Sequence, residues 1–223
     1  MWRDTWLVMG KDLKIELRSK ILINQVVPFA LLVLLLFGFA LGPGNQLLIT
    51  ATPGLYWLAV LFAALLAVQR SFAIEAVDGF GDGFRLSGLD PAGIFLGKVT
   101  AVTIQLLVLE VILSLGVVIF YGSQLANNLW FVIIIAIVTP IGLSAVGIIY
   151  GLTVADLKIN QTLFPMLLFG VAAPVLIAAT KAFSAAIAGH IDQGVPWLDL
   201  LCIFDAVYLA LGIGLFAPLL EDL

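Results

Sequence analysis

The chain has 223 residues, of which 63% are hydrophobic and only 11% charged, against roughly 45 to 50% apolar and 25% charged in soluble domains. That composition excludes a soluble domain and reads as an all-α integral membrane protein. At about 20 residues per span, six helices and their connections use nearly the whole chain, so residues 1–223 read as one transmembrane domain. Any aqueous chemistry is then left to loops or to a partner.

Residues 1–20, MWRDTWLVMGKDLKIELRSK, lack the apolar core of a signal peptide and mix acids among bases. At 100° per residue, Trp2, Trp6, Met9, Leu13 and Leu17 share one face, while Asp4, Lys11, Lys14 and Arg18 share the other. This pattern predicts an N-terminal amphipathic helix lying in the membrane interface. Residues 21–69 carry no charge and are broken by LGPGN at 41–45 and TPG at 52–54. They predict two spans, about 23–42 and 55–70. Further apolar runs predict spans at about 94–121, 129–153, 162–181 and 198–219. All six read as helices, because a helix satisfies its own backbone in lipid and no alternating barrel pattern is visible. Cys202 is the sole cysteine; inside an apolar run it reads as a small buried residue.

Orientation follows from the bases. With the amino terminus cytoplasmic, nine of the ten, among them Arg70, Arg85, Lys98 and Lys158, lie inside and Lys181 alone lies outside. Both termini and the 70–97 segment are then cytoplasmic. His190 falls in the outer connection AGHIDQGVPW, where an exposed polar residue is the plain expectation.

The glycine-rich segment 70–97 imitates a phosphate loop and fails the test. Ala92 stands where the first glycine is required, and Val99 follows Gly97-Lys98 where a hydroxyl must reach magnesium. A dinucleotide fingerprint fails at Phe84, and a calcium loop starting at Asp78 fails at Phe80 and Leu89. Large apolar side chains among the acids and glycines suit a groove on a soluble partner instead.

Inside the spans, Glu110 lies about 18 Å along a helix from Lys98 and should face protein or water, since an ionised acid there costs roughly 2.5 to 3.5 kcal/mol. Thr100, Thr103 and Ser114 fall on its face. Asp205, with Tyr208 a turn later, makes a similar case in the last span. These residues read either as a polar seam at a moving interface or as interhelical hydrogen bonds. Gly38 with Gly42, and Gly147 with Gly151, have close-packing GxxxG spacing. No histidine and acid cluster or serine and lysine dyad is apparent in the spans, and neither a catalytic nor a metal site is expected.

The amphipathic KDLKIELRSK start, then Arg70, Phe72 and Glu75 as R-x-F-x-x-E leading to LGK at 96–98, and LKINQTLFPMLLFGVAAPVLIAAT at 157–180, together resemble the CcmB family, membrane subunits of the haem exporter complex of cytochrome c maturation. The segment DGFGDGFRLSGLDP is richer in glycine and aspartate than the leucine-rich loop expected of that family. The resemblance implies a non-catalytic permease of the six-helix, ABC-2-type exporter class in a bacterial inner membrane. Residues 70–90 would be its coupling helix, with Arg70, Phe72, Glu75, Asp78, Phe80, Phe84, Arg85 and Leu89 docking the ATPase. ATP and magnesium would sit on that CcmA-like partner, with no cofactor in this chain and haem handled by the complex. Also implied are a homodimer of this chain, a CcmC-like haem-handling membrane subunit, a small CcmD-like subunit and a CcmE-like haem chaperone. Two other readings stay open: the same architecture with a drug, lipid or polysaccharide as cargo, and a proton-coupled secondary transporter using Glu110 and Asp205.

Overall fold

A bilayer offers no water to backbone amides, so each segment must pair within itself, and every long regular element in the described part of this computed structural model is a helix. The description covers the backbone of residues 1–42, 45–77, 88–121, 128–154 and 160–221, with the side chains of all but 74–77, 120–121, 160–161 and 221. In chain order the helices are α1 (Trp2–Ser19), a π-helical turn (Leu22–Val26), α2 (Val27–Leu41), α3 (Gln46–Val77), α4 (Pro91–Tyr121), α5 (Leu129–Val154), α6 (Asn160–Ala188) and α7 (Ile191–Glu221). Six stretches are long and apolar enough to cross a membrane, the first running from Leu22 to Leu41 and the last from Ile191 to Leu220. The chain is a multi-pass membrane protein.

Three expectations about boundaries are corrected. The TPG stretch does not break the second span, because α3 begins at Gln46 and passes through Pro53. Asn45 Oδ1 accepts from the Leu47 amide at 3.0 Å and starts the helix early. The Thr52 hydroxyl donates to the Leu48 carbonyl at 2.8 Å just before the proline. The long outer connection shrinks to Gly189 and His190, since α6 reaches Ala188 and α7 starts at Ile191. Gly189 adopts φ 80, its amide donates to Ala186 and that of His190 to Ala185; this Schellman closure ends one helix and frees the next to begin. Lastly, Arg70 and Phe72 belong to α3, not to a loop, while α4 opens at Pro91 with Asp90 Oδ1 accepting from the Ala92 amide at 3.2 Å.

The π-helical turn has a local cause. Pro28 has no amide to donate, and its ring crowds the carbonyl four residues back. The preceding turn widens, and the Val27 amide bonds Leu22 instead. Lys20, at φ 54, bends the chain out of α1 just before it.

Among the spans, α3 and α5 are the most buried and α7 the least. Gly147 and Gly151 of α5 pack on α3: a Cβ at Gly147 would stand 2.8 Å from Val68, and one at Gly151 would run into the Phe72 ring. That GxxxG is a true helix contact. Gly42 ends α2 at φ 85 with open space around it. Tyr56 stacks on Phe183 of α6 with centroids 5.2 Å apart, and Trp57 meets the same ring edge-on. Cys202 is exposed rather than buried, because its neighbours Leu201 and Asp205 take the face of α7 turned to the bundle.

Candidate functional site

The end of the bundle where α3 finishes and α4 starts is built around α1. The residues α1 turns to the bundle are Asp4, Val8, Asp12 and Glu16, one per turn, while Trp2 and Trp6 stay 69% and 68% exposed. The amphipathic helix therefore docks by an acidic stripe and leaves its tryptophans exposed on the opposite side. Each acid finds a cation or an amide. Asp4 Oδ2 accepts from the Asp90 backbone amide at 3.3 Å. Asp12 Oδ2 lies 3.5 Å from Lys98 Nζ, which donates to Ser71 Oγ at 3.0 Å and sits 5.2 Å from the centre of the Phe72 ring. Glu16 Oε1 accepts from the Leu22 amide at 2.6 Å, and its Oε2 pairs with Arg70 Nε at 3.4 Å. The hydrogen bond from Asp90 holds the Asp4 carboxyl below its ordinary pKa, against its burial, with help from the Met1 amine and Arg3.

Seating α1 so closely requires glycine on the facing helix. A Cβ at Gly93 would lie 2.8 Å from the Met1 carbonyl, and one at Gly97 2.7 Å from Val8 Cβ and 2.9 Å from the Thr5 carbonyl. Gly93 and Gly97 form a GxxxG pair that composition alone hid among 21 glycines; its signal is the matching small face beside LGK.

The second cluster lies within the spans. Glu110 is 2% exposed, and neither of its carboxyl oxygens has a hydrogen-bond partner among the described residues. Tyr56 donates to the Glu110 backbone carbonyl at 3.2 Å and sits 3.2 Å from Ser114 Oγ. Nothing in the apolar TPGLYW context of Tyr56 signals which helix it meets. Thr100 spends its hydroxyl on the carbonyls of Leu96 and Gly97 in its own helix, and Thr103 Oγ1 is buried without a partner. Asp205 occupies the space left by the absent side chain of Gly142 on α5. Its Oδ1 is buried and unpartnered, and no hydrogen bond joins it to Tyr208, whose ring lies 4.3 Å from that of Phe204. The structure thus gathers Glu110, Ser114 and Tyr56 on one seam and sets Asp205 on another, against α5.

Of the residues expected to dock a partner, Arg70 and Phe72 are engaged within the chain. Phe72 is 7% exposed, under Lys98 and against Gly151. Leu89 is partly buried and packs on the core. The Glu75 side chain and Asp78, Phe80, Phe84 and Arg85 lie outside the described residues. His190 is exposed in the α6–α7 turn. No group of three or more His, Cys, Asp or Glu able to hold a metal ion occurs among the described residues.

The sequence matches the family model described as CcmB protein over residues 3–219. "Heme exporter protein B" of Haemophilus influenzae is 29% identical over 206 residues, 90% of this chain and 88% of the relative. Its namesake in Pseudomonas aeruginosa is 28% identical over 211 residues, covering 95% and 92%. In Bradyrhizobium diazoefficiens the figure is 30% over 211 residues, covering 92% and 91%. With the match running from the N-terminal helix through the last span, the chain belongs to the CcmB protein family.

Proposed function

We propose that this chain is the membrane permease subunit of a haem exporter serving cytochrome c biogenesis, and that it couples ATP hydrolysis on a separate subunit to haem transfer or to release of a haem-loaded chaperone. The observation that carries this reading is similarity along nearly the entire chain to proteins named "Heme exporter protein B", joined to six membrane-spanning helices. The amino and carboxyl termini face the cytoplasm in this reading, because that orientation places nine of ten bases inside.

The ATPase docks on the connection between α3 and α4, through Glu75, Asp78, Phe80, Phe84, Arg85 and Leu89. Arg70 and Phe72 support that handle from within the bundle instead of touching the partner. Closure of two ATPase subunits then moves α3 and α4 together, since Lys98 ties α4 to Ser71 and Phe72 of α3 and to Asp12 of α1. A homodimer of this chain, a haem-handling membrane subunit, a small accessory subunit and a haem chaperone complete the assembly. ATP drives such a cycle only through different affinities of the ATPase for two states of the membrane dimer.

Affinity purification in mild detergent tests the reading. A stoichiometric ATPase should co-purify with the chain and be lost when residues 78–87 are replaced by a glycine-serine linker of equal length. Full transport by liposomes holding this chain alone, without any ATPase, would overturn it.

A further inference from the structure

A cleft of about 350 Å³ opens between the end of α1, the π-helical turn, the last turns of α3 and the middle of α4, within the roughly 300 to 1,000 Å³ of small-ligand sites. Its lining mixes apolar Ile21, Leu22, Val26, Leu66 and Ala67 with polar Glu16, Gln25, Gln69, Arg70 and Gln105. The polar part of the lining is underused. Gln105 is 9% exposed, Gln69 is half-buried and Gln25 is exposed, and no side-chain hydrogen bond joins any of the three to the described residues. Arg70 Nε is buried without a hydrogen bond although it pairs with Glu16 at 3.4 Å. The buried Gln105, with no side-chain hydrogen bond, and the buried Arg70 Nε, outside any hydrogen bond, leave polar capacity that points to an occupant.

The chemistry of the lining selects that occupant. The cleft reaches from the bend between α1 and the first span to Gln105 of α4, about 10 Å along that helix from Lys98. Such a lining takes an occupant that is polar in one part and apolar in another. The mouth is zwitterionic: a guanidinium able to take a phosphate fork-wise stands beside a carboxylate able to accept from an ammonium. Gln69 and Gln105 offer amides that can donate to ester oxygens, and Ile21, Val26 and Leu66 offer apolar contact to an acyl stem. We propose that this cleft binds one phospholipid of the phosphoethanolamine class, with Arg70 on the phosphate, Glu16 on the ammonium and Gln69 and Gln105 on the ester oxygens. The widened π turn, which carries Leu22, Gln25 and Val26 of the lining, leaves the room. A lipid there would wedge the first span against α3 beside the α1 anchor. This proposal does not depend on the cargo.

Native mass spectrometry of the full chain in mild detergent, with phosphatidylethanolamine, phosphatidylcholine or phosphatidylglycerol added, tests it. One phosphatidylethanolamine should stay bound, with at least ten-fold preference over phosphatidylcholine, whose ammonium cannot donate, and over phosphatidylglycerol, which has none. The double variant Gln69→Leu with Gln105→Leu should lose that binding ten-fold or more. Equal retention of the three lipids, or undiminished binding by the variant, would overturn the proposal. Should the variant misfold, a phosphatidylethanolamine carrying a photoreactive acyl chain decides on the unaltered chain: adducts within 21–26 and 66–73 support the site, and adducts only elsewhere sink it.

Discussion

Lys98 is fully buried, an extreme position for a lysine. It is tolerated because Asp12, Ser71 and the Phe72 ring surround its ammonium. Removing one member of such a pair strands the other charge, which costs about 3 to 5 kcal/mol. Lys98→Met should therefore lower the stability of the purified chain by that order, read as a large fall in Tm in detergent. Adding Asp12→Asn should recover part of the loss, because the stranded carboxylate is gone; failure to recover any would show that Lys98 acts through packing alone. From the sequence, Lys98 was legible only as a base at the head of a span. Which acid it meets depends on how a separate helix docks, and Asp12 lies 86 residues away in the chain.

At the scale of the element, α1 is the most instructive helix. Its period was readable and its tryptophan face was found, but its polar face was divided in a way periodicity cannot show. The acids turn inward to partners and the bases outward, because Lys98, Arg70 and the Asp90 amide stand on the bundle side. Gly97→Val should push α1 off α4, since its side chain would collide with Val8 Cβ and the Thr5 carbonyl. Overpacking of this kind costs about 1 to 3 kcal/mol; the expected sign is faster proteolysis within residues 2–19 while the spans remain intact. Acid should have a related effect. The folded pKa of Asp4 is lowered by the Asp90 amide, so its contribution is present above the unfolded value of about 3.9 and is lost as pH falls from there through the lower folded value. Tryptophan fluorescence of the chain in nanodiscs should report α1 loosening in that window, and Asp4→Asn should abolish the transition.

At the scale of the molecule, the bundle holds two acids, Glu110 and Asp205, that its own described side chains leave partly or wholly unsatisfied. A purely structural carboxyl of this kind is a liability, and its replacement by a well-packed apolar residue is neutral or stabilising. Glu110→Leu should leave the Tm of the chain equal or higher, yet lower haem-dependent cytochrome c maturation in cells at least ten-fold. A variant that is stable and fully active would reduce Glu110 to packing. The count of six spans, the N-terminal amphipathic helix and the polar positions in the spans followed from sequence, because hydrocarbon imposes a length and a polarity on every crossing segment. Span ends followed less well: a Schellman turn at Gly189 and an Asn45 cap lengthen helices past prolines that end them in water. Which side chains meet emerges only once the helices are packed. Gly93 and Gly97 receive α1, Tyr56 finds Glu110 and Ser114, and Phe72 turns from an expected surface handle into a buried support. The physical reason is that hydropathy sorts residues by depth in the membrane, whereas partners are chosen by rotation and register of one helix against another, which no single segment encodes.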